Sequence, residues 1–463
     1  MIMIKYFYIL ALCFVGLSSA HAQQTMSLHD CVQYAIDHNI GIEQRKIQEQ
    51  NAEIALETSR FSRLPSVSAT LGQSFGFGRS TGRDGSTVDQ TSTSSSFDIG
   101  AQVPVFTGFR ISNQIKADRY SLKAATENLE KAKRDITVTV ASYYLNALYY
   151  RGLTQIQRQQ LALDRDALAK AEALFETGRQ PESEVANARA QVAMSEHSLT
   201  EAEGNEMIAR LDLIQALNLD CDADKFSVIE LDTTSMLGDM PLPETVFAYA
   251  VETHPAIMAA KYNLEQSRYS EKVARSYMMP SLSLTAYYRN SYYHLYDSDY
   301  NKSFGKQLKD NGSEYVGFSL SIPIFNRFSS RNSVRQARLS VQSYNWALEE
   351  ARQTLGKEIQ QAYWNAAKAR DNYASAKKAA ESTSIAYRYE AERFGAGRST
   401  SYDLQQARTK LEKALHDEVQ SKYEYLIRVK ILEFYNGQDF CPAVSFASLA
   451  SLSASLLSAL LLF

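Results

Sequence analysis

The chain has 463 residues, of which 45% are hydrophobic and 22% are charged, a composition typical of a folded protein rather than a disordered one. Its 49 Lys and Arg residues are balanced by 52 Asp and Glu residues, which excludes the basic surface of a nucleic-acid-binding protein, so no nucleic-acid partner is expected. Four cysteines without C-x-x-C spacing exclude zinc ribbons and thioredoxin-like redox sites.

The N-terminus predicts an exported protein. A single charged residue, Lys5, precedes an apolar run from Ile9 to Leu17, and Ala20-His21-Ala22 then provides the small-x-small pattern of a secretory cleavage site. Residues 1–22 are therefore predicted to be a signal peptide. A buried N-terminal helix is the alternative interpretation of the apolar run.

The rest of the sequence is an internal duplication, because several markers recur in the same order at nearly one offset. The markers that recur 219 residues apart are Val103-Pro104-Val105-Phe106 with Ile322-Pro323-Ile324-Phe325, Phe175-x-x-Gly178-Arg179 with Phe394-x-x-Gly397-Arg398, and Ala188-Arg189 with Ala407-Arg408. Further upstream, Pro65 pairs with Pro280 at an offset of 215, and His38 is paired with His254 at 216.

Each repeat has the same predicted order of elements: helices, a β-hairpin and a long helical hairpin. The first repeat is predicted at residues 23–218, with its β-hairpin at 64–106 and its helical hairpin at 107–218. The second is predicted at 244–437, with the corresponding hairpins at 280–325 and 326–437. Residues 219–243, with Pro241 and Pro243, form the predicted linker. Residues 438–463 are an apolar tail without a structural assignment.

The helices are predicted to be unusually long. Between Phe328 and Phe394 there is no proline and one glycine, and apolar residues recur every three or four positions, the helical period. At 1.5 Å per residue such a helix reaches about 100 Å. A plain coiled-coil rod would give the same pattern.

The predicted strands do not fit a soluble rod. In segments of roughly ten residues, apolar side chains such as Val67, Leu71, Phe318 and Leu320 alternate with Ser, Thr and Gly. This alternation suits transmembrane β-strands, apolar toward lipid and polar toward a lumen, and the Tyr-rich stretch 287–300 suits an aromatic girdle at the interface. A soluble sandwich would show the same alternation. Four strands cannot close a barrel, since small barrels need eight, so a homo-oligomer is predicted.

This order of signal peptide, two β-hairpins, paired long helices and an internal duplication resembles the TolC-like outer membrane factor family, from about Ser27 to Gly437. The most specific signatures are the proline-containing strand ends and the turns that follow Phe175 and Phe394. The resemblance implies a mixed α and β membrane protein, a homotrimer in outer-membrane lipid. Each protomer would give four strands to one twelve-stranded transmembrane β-barrel, which a long periplasmic α-helical barrel continues. The implied partners are a periplasmic adaptor protein and an inner-membrane transporter.

The resemblance implies that the two helical turns form the periplasmic tip, with Gly178, Arg179, Gly397 and Arg398 as the adaptor-docking residues. Glycine suits the left-handed position that ends a helix. An ordinary helical hairpin is the alternative interpretation of both turns.

Two acidic residues beyond the turns, Glu184 and Asp403, occupy equivalent places, and the resemblance implies that they are the candidate aperture. They are expected one to two turns into the ascending helices, where a threefold ring of carboxylates would favour cations. Gln406 stands where the family has a second acidic residue, so a double ring is not predicted. A solvated helix face is the alternative interpretation.

We predict no catalytic residue, no cofactor and no metal site. The string Gly78-Arg79-Ser80-Thr81-Gly82 matches a nucleophile elbow, but a Ser/Thr-rich loop is expected after it instead of the helix that the motif requires. P-loop and H-E-x-x-H motifs are absent from the sequence. His38 and His254 are therefore interpreted as structural.

The predicted function is an outer-membrane exit duct of a tripartite efflux or secretion system, located in the outer membrane of a Gram-negative cell with a periplasmic extension. Substrates would pass through it without chemistry. A duct for type I protein secretion is an alternative within transport. A periplasmic coiled-coil scaffold is an alternative from another class, although it leaves the apolar strand faces unexplained.

Overall fold

A computed structural model describes residues 24–81, 85–230, 240–296 and 301–438. The predicted signal peptide at residues 1–22 lies outside the described residues, as does the apolar tail beyond residue 438. The chain forms two compact units. Their described parts are residues 24–46, 129–230, 240–257 and 352–438 for the first unit, and residues 47–81, 85–128, 258–296 and 301–351 for the second.

The two halves of the chain share one order of main elements, which is two helices, two long strands and two long helices. The first half contains β1 (Gln24–Met26), α1 (Leu28–His38), α2 (Ile40–Phe61), β2 (Ser66–Gly76), β3 (Arg79–Thr81), β4 (Thr87–Asp89), β5 (Ser92–Phe106), α3 (Arg110–Glu176) and α4 (Glu182–Leu217). A 3₁₀ turn (Ala223–Lys225) and β6 (Phe226–Val228) follow. The second half contains α5 (Pro243–Thr253), α6 (Pro255–Ser276), β7 (Ser281–Leu295), α7 (Phe304–Asp310), β8 (Ser313–Ser321), α8 (Ser329–Gly395) and α9 (Ser401–Tyr435).

The long helix predicted between Phe328 and Phe394 is confirmed as α8, and both α8 and its repeat equivalent α3 have 67 residues. No helix in the described ranges combines the length and the apolar character needed to cross a membrane.

The predicted pairing of His38 with His254 as repeat equivalents is wrong. Helices α1 and α5 have 11 residues each, and α2 and α6 begin at residues 40 and 255, so His254 is equivalent to Asn39.

Asn39 and His254 perform the same task at their two helix junctions. The Asn39 Oδ1 atom accepts a hydrogen bond from the Gly41 N–H at 2.8 Å, and the His254 Nδ1 atom accepts one from the Ala256 N–H at 3.3 Å. Each side chain thereby satisfies one of the free N–H groups that open the next helix. The His254 ring also stacks on Tyr435, with ring centroids 6.0 Å apart.

The first unit is built around a two-stranded parallel sheet, in which β1 pairs with β6. Phe226 of β6 is fully buried, and so is Tyr144 of α3. The Tyr144 hydroxyl donates to the Ile229 carbonyl at 2.6 Å, which ties the end of β6 to the helix. The segment predicted as a linker, residues 219–243, therefore contains a packed strand.

The second unit contains a four-stranded antiparallel sheet in the order β2-β5-β7-β8. Its register puts the alternating apolar residues of all four strands on one face, as in the row Val67, Ala101, Ala286 and Val316. Because side chains alternate between the faces of a strand, Ser, Thr and Gly share the opposite face. The apolar face is exposed: 77% of Leu71 is accessible to solvent.

The structure differs from the sequence-based expectation at the ends of this sheet. Strand β8 ends at Ser321, before the motif that contains Pro323, which has no N–H to donate to a ladder. The small hairpin β3–β4 lies between β2 and β5, and α7 lies between β7 and β8. Ser80 of the elbow-like string lies in β3, and the next described elements are strands.

The helices of the second unit follow the order of the strands. Helices α2 and α3 are joined by a hydrogen bond, which the Thr126 hydroxyl donates to the Glu49 carboxylate at 2.6 Å. Helix α3 contacts α6 through stacked tyrosines, and α6 bonds to α8 through Glu271 and Arg338 at 3.1 Å. The helix order α2-α3-α6-α8 thus matches the strand order, because each strand is joined directly to its own helix.

The titration of His254 provides a test of this structure. Burial, together with the charges of Arg134 and Lys131, lowers the pKa of His254 from 6.5 to about 4. Between pH 6.5 and 4 the unfolded chain takes up a proton that the folded chain does not. The free energy of unfolding should therefore fall by about 1–3 kcal/mol as the pH falls through this window.

His254→Asn should remove this contribution while keeping the helix cap, since Asn39 provides that cap in the first repeat. The measurement is urea unfolding of the detergent-solubilised protein at pH 7.5 and 4.5. The variant should lose less stability than the wild type on acidification. Equal losses in the two proteins would contradict the role given to His254.

Candidate functional site at the two helical turns

The turn after α3 ends that helix with a Schellman motif. The Gly178 N–H donates to the Phe175 carbonyl at 2.8 Å, and the Arg179 N–H donates to the Leu174 carbonyl at 2.9 Å. Gly178 has a φ of 69°, in the left-handed region where glycine is favoured. The two bonds satisfy carbonyls that the end of the helix would otherwise leave free.

The turn after α8 repeats this geometry. The Gly397 N–H donates to the Phe394 carbonyl at 2.9 Å, the Arg398 N–H donates to the Arg393 carbonyl at 2.9 Å, and Gly397 has a φ of 68°. The positive φ predicted for both glycines is confirmed. Arg179 and Arg398 are exposed, and a Cβ atom at either glycine would have no atom within 4 Å. Both turns therefore leave open space around the glycine.

The ascending helices begin differently after the two turns. Thr400 caps α9: its hydroxyl donates to the Asp403 carboxylate at 2.6 Å and accepts from the Asp403 N–H at 3.2 Å. The hydrogen bond from Thr400 lowers the pKa of Asp403. Helix α4 begins after Pro181, which provides no side-chain cap.

The expected depth of the two acidic residues is wrong. Glu184 and Asp403 are each the third residue of their helix, so both lie in the first turn, where the helix dipole favours a negative charge. Asp403 is occupied in a capping box. The Glu184 carboxylate accepts a hydrogen bond from the Ser401 hydroxyl at 3.5 Å.

The starts of α4 and α9 lie side by side in one chain. Besides the contact between Glu184 and Ser401, the Gln405 Nε2 atom donates to Gln191 Oε1 at 2.9 Å. The structure thus brings together the two turns that the sequence identified separately. Among the described residues, no group of His, Cys, Asp and Glu side chains is arranged to hold a metal ion.

A buried polar network joins three helices near these turns. Asp164 of α3 is 2% exposed and forms an ion pair with Arg408 of α9 and a hydrogen bond with Ser195 of α4. Arg408 also lies 3.4 Å from Glu412. Burial raises the pKa of Glu412, and the charge of Arg408 opposes that shift. The network therefore fixes α9 against the α3–α4 hairpin.

Sequence reasoning noted Arg408 only as a repeat equivalent of Arg189 and missed this network. In the structure Arg189 pairs with Glu172 on an exposed surface at 2.9 Å, whereas Arg408 is 9% exposed. In the sequence, the two arginines showed only that the repeats share this position. Their partners come from different places in the sequence, so the spacing could not reveal which of them is buried.

Asp164→Asn should destabilise the folded chain by about 3–5 kcal/mol, because it leaves the Arg408 guanidinium buried without its main counter-charge. The matched control is Asp166→Asn, since Asp166 is exposed on the same helix; it should change the free energy of unfolding by less than about 0.5 kcal/mol. Replacing Asp164 and Arg408 together by Leu should recover most of the loss. Unfolding in urea measures all three, and equal effects of the two Asn variants would contradict the role of the ion pair.

The chain is similar to several known proteins. It is 23% identical to the outer membrane efflux protein BepC of Brucella suis biovar 1, in a match of 283 residues that covers 59% of this chain and 59% of BepC. It is also 23% identical to the alkaline protease secretion protein AprF of Pseudomonas aeruginosa, over 77% of this chain and 74% of AprF. The BepC match thus spans less than two thirds of that relative.

Solved structures and a family model add to these matches. The crystal structure of the Campylobacter jejuni CmeC outer membrane channel superimposes with a TM-score of 0.73 at 20% identity, over 90% of this chain and 87% of CmeC. The fold, mostly helical with a four-stranded sheet, is therefore the fold of a TolC-like outer membrane channel. The model of the outer membrane efflux protein family matches twice, at residues 32–219 and 248–438. Since these matches span most of the sequence, the chain belongs to the outer membrane efflux protein family.

Proposed function

We propose that this protein is an outer-membrane exit duct that passes substrates from a periplasmic pump–adaptor assembly to the exterior. The observation that carries the proposal is the sheet, which has one exposed apolar face and one polar face of small side chains. Val316, Phe318 and Leu320 are 61–73% exposed in the single chain. An exposed apolar face this continuous requires a cover, and lipid provides one when the polar face lines a lumen.

The edges of the sheet support an oligomer. Among the described strands, β2 and β8 each pair with one neighbour only, so each leaves a row of backbone N–H and C=O groups free for pairing. In hydrocarbon each such group costs several kcal/mol, and spanning sheets are therefore closed. Because successive strands alternate in direction, β8 of one copy can pair antiparallel with β2 of the next. A homotrimer closes twelve strands in this way.

In this proposal the long helices continue the barrel into the periplasm and the two helical turns form its tip. The tip residues Gly178, Arg179, Gly397 and Arg398 would contact the adaptor, which in turn binds an inner-membrane transporter. Glu184 and Asp403, in the first turn of the ascending helices, would line the aperture. The open space around both glycines supports docking at this surface.

Two kinds of cargo are consistent with the relatives, since BepC is named an efflux protein and AprF a secretion protein. Export of small molecules is the main proposal, and type I protein secretion is the alternative. A periplasmic scaffold would have to keep the apolar face of the sheet in water, which disfavours it.

Membrane extraction and gel analysis test the proposal. An embedded barrel should stay in the membrane during carbonate washing and be released only by detergent, and trimer bands should persist until the sample is heated. Release by carbonate as a monomer would overturn the duct and support the scaffold.

The first prediction of the duct concerns the two faces of the sheet. Arginine at a lipid-facing position should reduce folding stability by about 2–4 kcal/mol and lower the amount of assembled trimer, because the charge must enter hydrocarbon. Arginine at the neighbouring polar-face position should mainly alter conductance. The lipid-facing positions are Phe75, Ile99, Leu284 and Phe318, and their matched controls are Ser74, Gly100, Thr285 and Ser319. Equal loss of trimer on both faces would refute the assignment.

The second prediction concerns the tip. Gly178→Val and Gly397→Val should each cost about 1–2 kcal/mol, because a β-branched residue is disfavoured in the left-handed conformation. The trimer should still assemble, but export and crosslinking to the adaptor should fall, since three copies repeat the displaced turn around the tip. Normal export by both variants would place the adaptor contact elsewhere.

The matched control for the tip variants is Gly204→Val. Gly204 lies inside α4, has no positive φ and would have no atom within 4 Å of a new Cβ. It therefore tests the added side chain without the left-handed conformation, and export should be retained. Gly152 is less suitable, because a Cβ there would lie 3.2 Å from Val419.

A further inference from the structure

The polar face of the sheet is lined mainly by small side chains on its two edge strands. Its first strand presents only Ser, Thr and Gly on this face, at Ser66, Ser68, Thr70, Gly72, Ser74 and Gly76. The last strand presents Ser and Gly at four of its five positions, and the exception is Tyr315. Large residues on this face are therefore few, and their places can be read from the register.

Four of the large polar-face residues fall in two adjacent rows across the sheet. One row is Ser68, Gly100, Tyr287 and Tyr315, and the next is Thr70, Asp98, Arg289 and Ser313. Both rows combine small residues on β2 with large ones on β7. The other large side chains of this face lie away from these rows: Gln102 toward the helices, and Tyr293 and Leu295 at the opposite end of the sheet.

The four residues contact one another. The rings of Tyr287 and Tyr315 stack with centroids 4.9 Å apart and planes at 20°. The Arg289 guanidinium lies 5.2 Å from the centre of the Tyr287 ring and forms an ion pair with Asp98. These contacts link three neighbouring strands on one face.

Gly317 gives the Tyr315 ring its position. A Cβ atom at Gly317 would lie 2.6 Å from the Tyr315 Cζ atom, so the ring occupies the space above the glycine, against the backbone of β8. Tyr315 is nevertheless 48% exposed. The strand therefore presents an aromatic ring that is held in place and accessible.

We propose that Tyr287, Tyr315, Arg289 and Asp98 form an aromatic belt that binds planar aromatic solutes as they leave the duct. This inference rests on the proposed function, which turns the polar face toward a lumen and repeats the belt in every protomer. In a lumen lined along β2 and most of β8 by Ser, Thr and Gly, the belt is where a solute meets a cluster of aromatic and charged side chains that contact one another.

The chemistry of the belt favours the binding of aromatic solutes and does not select solutes by their charge. Aromatic faces bind other rings by offset stacking. The Arg289 charge is offset by Asp98, so the belt carries no net charge. Ser68 and Gly100 leave room in the same row for a flat solute. The belt should therefore retain aromatic solutes of either charge more strongly than aliphatic ones.

The test is block of single-channel current by full-length trimers in a planar lipid bilayer. The aromatic probes are 1-naphthalenesulfonate and 1-naphthylmethylammonium, and the aliphatic probes are hexanesulfonate and hexylammonium. Stacking should let both naphthyl probes block at about tenfold lower concentration than the aliphatic probe of the same charge. Block that depends on the sign of the charge and not on the ring would overturn the belt.

Leucine variants separate the effect of the aromatic ring from the effect of side-chain volume. Tyr287→Leu and Tyr315→Leu keep a large side chain but remove the aromatic face, and each should raise the half-blocking naphthyl concentration by about fivefold or more. Gly317→Ala keeps both tyrosines but displaces the Tyr315 ring, and should weaken block as well. Tyr293→Leu, on the same strand and face outside the belt, is the matched control and should leave block unchanged.

The two charged residues give a further readout. Arg289→Gln should make the channel prefer cations, and Asp98→Asn should make it prefer anions, as measured by reversal potentials in a salt gradient. If wild-type trimers form no channel, the proposed function fails and the belt with it. If they conduct but the leucine variants block like the wild type, only the belt fails.

Discussion

Hydrogen bonding at the two edges of the four-stranded sheet is the constraint on which the rest of this architecture depends. The sheet exposes an apolar face that water disfavours, while its edge strands β2 and β8 leave backbone groups that lipid disfavours. In the proposed duct both demands are met together, because further copies continue the sheet until it closes. The oligomer in the proposal is therefore a consequence of the sheet, and the helices follow from it.

The helices are arranged in the same order as the strands to which they are joined. Helices α2, α3, α6 and α8 are each joined to one strand and contact each other in the same sequence. In the proposed duct a ring of strands therefore continues directly into a ring of helices, and closure of the strand ring also closes the helix ring. Within the first unit, the buried pair of Asp164 and Arg408 positions α9 against α3.

The sequence predicted the parts of the fold that local patterns determine. A proline-free run with helical periodicity was sufficient for α8, and strict alternation was sufficient to assign the faces of the sheet. It could not predict β6, because Phe226–Val228 is a strand only through its pairing with β1. Nor could it predict the contact between Asp164 and Arg408, which come from distant parts of the chain and carry no shared motif. The depth of Glu184 was missed because Pro181 gives α4 no side-chain cap that would have marked the helix start in the sequence.

The two helical turns have the same backbone geometry but different side chains, and this has a consequence for stoichiometry. Both turns have matching φ values and hydrogen bonds, whereas one ascending helix starts at an uncapped Pro181 and the other at the capping box of Thr400. In a trimer, with two turns in each of three copies, a partner that binds only backbone atoms would have six equivalent docking sites. A partner that binds the side chains would have two different kinds of docking site, three of each, alternating around the trimer. The ratio of bound partner to channel would therefore report which of these features the partner recognises.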